Sequence, residues 1–179
     1  CRPTAEIEAI LQGQLDEVEP SGIVNVSLPS ARFNSLYLLR HSGEHFASVD
    51  ISLRIVLDWA FYVRRHPVDW PWLLAQLDRV GMRPYLAVLN AICVRYLGFE
   101  ASVFPELPVD EALVDRSMQD ILVPEVEPEE HKNRMREVAF RFRRWYANRW
   151  KHDMVYRERA AVSLCTQLWS HVLKPSACN

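Results

Sequence analysis

Residues 36–59 read L-Y-L-L-R-H-S-G-E-H-F-A-S-V-D-I-S-L-R-I-V-L-D-W. Large apolar residues, Leu38, Leu39 and Phe46, then Leu53, Val56, Leu57 and Trp59, run through it and read as two short helical segments with a tight break between them. His41 and His45 are four residues apart, as are Arg54 and Asp58. On a helix each pair shares a face. Both pairs sit among large apolar residues, and a polar group at a buried seam needs a partner or a task. Consecutive helices joined by a short turn pack antiparallel, so the two pairs are expected on one side, in one partly open polar seam.

Outward from this stretch the helical period continues. Ile7, Ile10, Leu11 and Leu15 mark a first helix over Thr4–Val18. Gly22–Leu28 is the one strand-like run, and at most one short strand is expected there. Ser30 can cap the second helix, which runs to about Phe46. A third spans Ser52–Arg65 and stops before Pro67. Asp69 can cap a fourth, with Gly81 as its stop. Pro84–Leu97 is apolar nearly all round, so this fifth helix is expected at the centre. Asp110–Leu122, the long basic stretch Glu129–His152 and Glu158–Leu173 complete about eight helices. The fold class is mainly α, a helical bundle in a single domain over residues 1–179. The acidic turn at 124–130 is its weakest internal boundary.

The chain has 179 residues and a 49% apolar composition, enough for one domain with a core of its own. No apolar run nears the roughly 20 residues of a membrane span. The four cysteines show no ligand spacing. Cys93 and Cys165 lie inside apolar helical runs, where a thiol is a small core residue rather than a nucleophile. Reduced thiols imply a cytoplasmic protein. Net charge is −2, yet residues 131–151 hold eight cations against Glu137 alone, a local +7 that leaves −9 elsewhere. A basic element in an acidic body implies an internal dock or an anionic ligand.

Three groups could carry chemistry. His41-Ser42-Gly43-Glu44-His45 fits H-x-x-E-H, in which two histidines hold zinc and the glutamate is a general base. Glu106 or Glu111 would have to supply a third ligand, and Gly43 weakens the helix. Packed or hydrogen-bonded histidines are the better reading, with no metal bound. Arg54 and Asp58 read first as an ion pair bracing a helix, and second as a phosphate-reaching arginine with its carboxylate. Arg144, Arg149 and Lys151 lie in R-F-R-R-W-Y-A-N-R-W-K, where cations alternate with aromatics. Such a run can hold nucleic acid, but Met135, Val138, Phe142 and Trp145 share a helical face and are expected in the core. Nucleic acid is therefore disfavoured as a partner. The candidate ligand-binding set is His41, His45, Arg54, Asp58, Arg144, Arg149 and Lys151, with no catalytic residue assigned.

A family resemblance joins these pieces. P-S-A-R-F-N-S-L-Y-L-L-R-H-S-G-E-H-F, I-S-L-R-I-V-L-D-W-A, D-W-P-W-L-L-A-Q-L-D-R-V-G-M and R-R-W-Y-A-N-R-W-K-H-D-M-V-Y occur in this order between Pro29 and Pro175. The order resembles the C-terminal helical part of an uncharacterised nucleotidyltransferase-like family of bacteria, Bacteroidetes among them. Where that family has G-I-G-L-R-Q, this chain has Asp50-Ile51-Ser52-Leu53-Arg54-Ile55. The resemblance implies Mg²⁺ and a nucleoside triphosphate for a longer parent, held by a carboxylate motif that follows a Gly-Ser or Gly-Gly turn. This chain contains no such Gly pair and no D-x-D. It therefore reads as a fragment downstream of the catalytic domain, binding no cofactor itself. Its expected partners are that upstream domain and a nucleotide. The competing reading is a non-catalytic protein-interaction module, and a zinc peptidase stands third.

Overall fold

The computed structural model describes residues 2–48, 50–124 and 134–156. The elements in chain order are α1 (Arg2–Gly13), β1 (Val18–Pro20), β2 (Ser27–Pro29), α2 (Ala31–Ser48), α3 (Leu53–Arg65) and α4 (Trp70–Val80). They continue with α5 (Arg83–Arg95), a single 3-10 turn (Ala101–Val103), α6 (Glu111–Leu122), α7 (Arg134–Ala147) and α8 (Arg149–Val155). The mainly α bundle is as the periodicity implied.

The ends of these helices follow local chemistry. Phe33 N–H donates to the Ser30 hydroxyl and Trp72 N–H to the Asp69 carboxylate, which satisfies first-turn donors of α2 and α4. Gly81 takes φ 80° after α4, and Met82 N–H returns to the Leu77 carbonyl. Asp69 also pairs with Arg32 at 2.7 Å. The Arg32 side chain and the Trp72 N–H hold its carboxyl below the ordinary value of 3.8. This contribution is fully present above that ordinary value and is lost as pH falls through the depressed one. Asp69→Asn keeps a capping oxygen but loses the ion pair. Its melting temperature is expected below wild type at neutral pH, with the gap closing on acidification, as thermal melts across pH would show.

α2 and α5 form the middle of the bundle. α5 touches α3, α4, α6 and α8, while α2 touches α1, α3, α4 and α8. Tyr85 through Asn90, Ile92 and Cys93 are all buried, matching the apolar circumference of α5. Trp59, 1% exposed, donates from its indole to Asn90 across the α3–α5 interface at 2.9 Å. Gly43 is where α2 comes closest to its neighbours. A Cβ there would stand 2.9 Å from Met82 Cε and 3.3 Å from Val155 Cγ1. The glycine that lowers helix propensity is thus a packing residue at the meeting of three elements.

Three expectations are revised. The 22–28 run is not a strand: Val18–Pro20 pairs antiparallel with Ser27–Pro29, giving two strands, and the run forms mostly the turn. Gly22 and Asn25 hold positive φ values of 80° and 61° there, which stops extended pairing. The long basic helix is interrupted at Asn148, where φ is −84° and ψ 3°; asparagine competes for the backbone and favours such a site. Phe142 is 54% exposed instead of buried, because spacing shows which side chains share a face and not whether a neighbour covers it. The expected helix Glu158–Leu173, the acidic turn, Cys165 and the side chains of Met135 and Val138 lie outside the described residues.

Candidate functional site

The strongest electrostatic feature is a buried ionic cluster where α8 crosses the α2–α3 connector and α6. Lys151 is 0% exposed and Asp120 1%. Lys151 Nζ lies 2.5 Å from Asp120 Oδ2 and 3.6 Å from Asp50 Oδ1, and Arg144 approaches the other Asp50 oxygen at 3.1 Å. Phe46 and Trp150 present ring faces to the same ammonium at 5.3 and 5.7 Å. The Lys151–Asp120 contact is short but poorly aligned as a hydrogen bond, so charge attraction dominates it. Burial pushes the Asp50 carboxyl above its ordinary range, against the pull of Lys151 and Arg144.

This cluster sorts the candidate residues. Lys151 and Arg144 point inward to acidic partners, the internal dock that the charge asymmetry implied. Arg149 stays exposed, its guanidinium 4.1 Å from the Tyr146 ring centroid. His41 and His45 form an edge-on imidazole pair at 4.6 Å on the outer side of α2. Tyr37 stacks on His41 at 5.9 Å and Phe33 on Tyr37 at 5.8 Å, so four rings run in a column. Glu44 is turned away from the histidines to Arg40 at 2.6 Å, and Glu111 is bound to Arg95. Two of the carboxylates a zinc peptidase would use, Glu44 and Glu111, are thus paired with arginines. Arg54 and Asp58 are both exposed on α3, with no ion pair between them. Among the described residues no hydrogen bond, ion pair or ring contact joins that pair to the histidines.

Residues 1–98 match the family model described as "Uncharacterised nucleotidyltransferase". The chain belongs to this family. The match takes in the helices from α1 to α5, and it includes His41, His45, Arg54 and Asp58. It begins upstream of Pro29, where the resemblance was read, and ends well before Pro175. Arg144, Arg149, Lys151 and Asp120 lie beyond the matched stretch of this nucleotidyltransferase-family chain. No curated protein and no solved structure matches it.

Membership of the family implies a divalent metal on nucleotide phosphates. The described residues do not fit one: among them no three His, Cys, Asp or Glu side chains gather at a metal-holding distance. Asp50 and Asp120, which share one cluster, already face Lys151. Asp120 and Asp50 were absent from the candidates read from sequence. Asp120 had a signal: it follows Val114 and Ser117 at inward helical spacing, next to Ile121, and all four are buried. Asp50 lies in a connector and had none. Cys93, fully buried with its thiol pushed up to about 12 by burial, is inert as a nucleophile. No helix of the described residues is long and apolar enough to cross a membrane.

Proposed function

We propose that this chain is the helical, C-terminal part of a bacterial, cytoplasmic nucleotidyltransferase, and that it closes over the cleft of a carboxylate-bearing catalytic domain in the same parent. The family match over residues 1–98 carries this reading. Within that stretch several side chains left free of the core are polar and chemically able. His41 and His45 stand on the outer side of α2 and Arg54 on the exposed face of α3. A guanidinium there can reach phosphate oxygens, and imidazoles can donate to a nucleotide or an acceptor hydroxyl. Arg149 adds a further exposed cation. Mg²⁺ and the nucleoside triphosphate would be held by the catalytic domain.

Arg54→Ala in the full-length parent tests this. Arg54 is exposed, so its removal leaves the core intact. Nucleotide Kd is expected to rise about tenfold, the effect of losing one charge-assisted contact, with the melting temperature unchanged. An unaltered Kd removes Arg54 from the site. The second reading, a docking module, draws on the β1–β2 hairpin. Ile23, Val24, Val26 and Leu28 are 46–85% exposed there, an apolar tip that suits a protein partner.

A further inference from the structure

On its outward side, α3 presents Leu57, Phe61 and Arg64, one turn apart and clear of the buried face that carries Val56, Trp59 and Val63. Opposite them runs the exit from α5: Leu97, Gly98, Phe99, Glu100 and Val103. The two walls enclose a cavity of about 410 Å³, within the roughly 300–1,000 Å³ usual for small-molecule sites. None of these residues takes part in the ionic cluster, and none is used in the nucleotide reading above.

The far wall is built by a helix stop. Gly98 takes φ 71°, and Phe99 N–H turns back to the Cys93 carbonyl at 3.1 Å. This left-handed exit aims Phe99 at α3. Phe99 meets Phe61 edge to face at 5.4 Å, which ties the walls together and gives the cavity an aromatic floor. Nothing lies within 4 Å of where a Gly98 Cβ would be, so the space over the turn is open. Phe61 remains 41% exposed although its ring is half of an aromatic pair.

The charged side chains that line the cavity are one of each sign, and the Arg65 guanidinium lies 5.7 Å from the Phe61 ring centroid. Arg64 comes from α3 and Glu100 from the opposite wall, and no ion pair joins them. A slot with aromatic and aliphatic side chains, flanked by an unpaired cation and anion, is complementary to a small molecule that carries both charges on an apolar body. A simple fatty or aromatic acid on Arg64 would leave Glu100 without a partner, and an amine on Glu100 would leave Arg64 without one. We infer that this cavity binds an apolar zwitterion of the α-amino-acid class, with its carboxylate on Arg64, its ammonium on Glu100 and its side chain against Phe61 and Phe99.

Isothermal titration of the full chain tests this with four probes: L-phenylalanine, 3-phenylpropionate, phenethylamine and AMP. L-phenylalanine is expected to bind, and the two singly charged analogues to bind about tenfold or more weakly, as the loss of one charge-assisted contact requires. Arg64→Ala should erase the preference for L-phenylalanine over phenethylamine. Glu100→Ala should erase the preference over 3-phenylpropionate. Both residues are exposed, so the variants are expected to keep the wild-type melting temperature. No binding of L-phenylalanine, equal binding of the analogues, or binding unchanged in both variants overturns the proposal. So does tighter binding of AMP that depends on Arg64, which would make the cavity a nucleotide site.

Discussion

Lys151→Met is expected to lower the unfolding free energy by about 3–5 kcal/mol, the usual result of removing one partner from a buried pair. The methionine fills much of the same volume between Phe46 and Trp150. What is lost is the cation 2.5 Å from a carboxylate that is 1% exposed. Asp120 must then either keep its charge in a medium of low polarity or take up a proton, and both carry a free-energy penalty at neutral pH. Asp50 adds to the loss, since it is a second carboxylate on the same ammonium and is left with Arg144 alone. The double variant Lys151→Met/Asp120→Leu removes both charges and should recover most of the stability, giving a strong coupling in a double-mutant cycle. Urea unfolding monitored by tryptophan fluorescence measures all three variants. A loss below about 1 kcal/mol for the single variant, the scale of a surface pair, would show that water reaches Lys151.

The isolated 179-residue chain is expected to release no pyrophosphate from any of the four nucleoside triphosphates in the presence of Mg²⁺, whereas the longer parent turns over. Nucleotidyl transfer develops negative charge on the phosphoryl oxygens and the leaving pyrophosphate, and it removes a proton from the acceptor. Clustered carboxylates holding metal normally serve both needs. Many of the described carboxylates already face cations: Asp50 and Asp120 face Lys151, Glu44 faces Arg40, Asp69 faces Arg32, and Glu111 and Asp115 face Arg95. Arg54 and Arg149 can attract a nucleotide, but attraction that is equal for ground state and transition state adds affinity and little rate. Turnover by the isolated chain at the parent's rate would place the catalytic centre within these 179 residues.

The parts of this fold that sequence revealed are those fixed by local rules. Ser30 and Asp69 act as caps because their oxygens reach nearby N–H groups. Gly81 ends α4 because it can turn left-handed. α5 is central because no face of it suits water. The parts that stayed hidden depend on distant partners. The run of cations implied a dock without saying which cation enters it, and the turn at Asn148 carries Lys151 inward. Its partners come from residues 50 and 120, far away in sequence. The Arg54–Asp58 spacing permits an ion pair but does not oblige one, since exposed side chains gain little by pairing. His41 and His45 were found because a helix keeps i and i+4 neighbours together in any tertiary setting. The zwitterion cavity could not be read at all, because its walls meet only once α3 and α5 have packed.

The ionic cluster also bears on what counts as a unit of inheritance. The family match ends at residue 98, yet Asp50 lies inside it while Asp120, Arg144 and Lys151 lie beyond. α5, the last matched helix, rests on α6 and α8. A polypeptide cut at the edge of the match would bare the apolar side of α5 and strip Asp50 of both its cations. The recognisable stretch and the cooperative folding unit therefore differ in extent. A charge reversal at Asp50 or Asp120 would set a like charge against Lys151, so the two sides of residue 98 are held to one another by electrostatics.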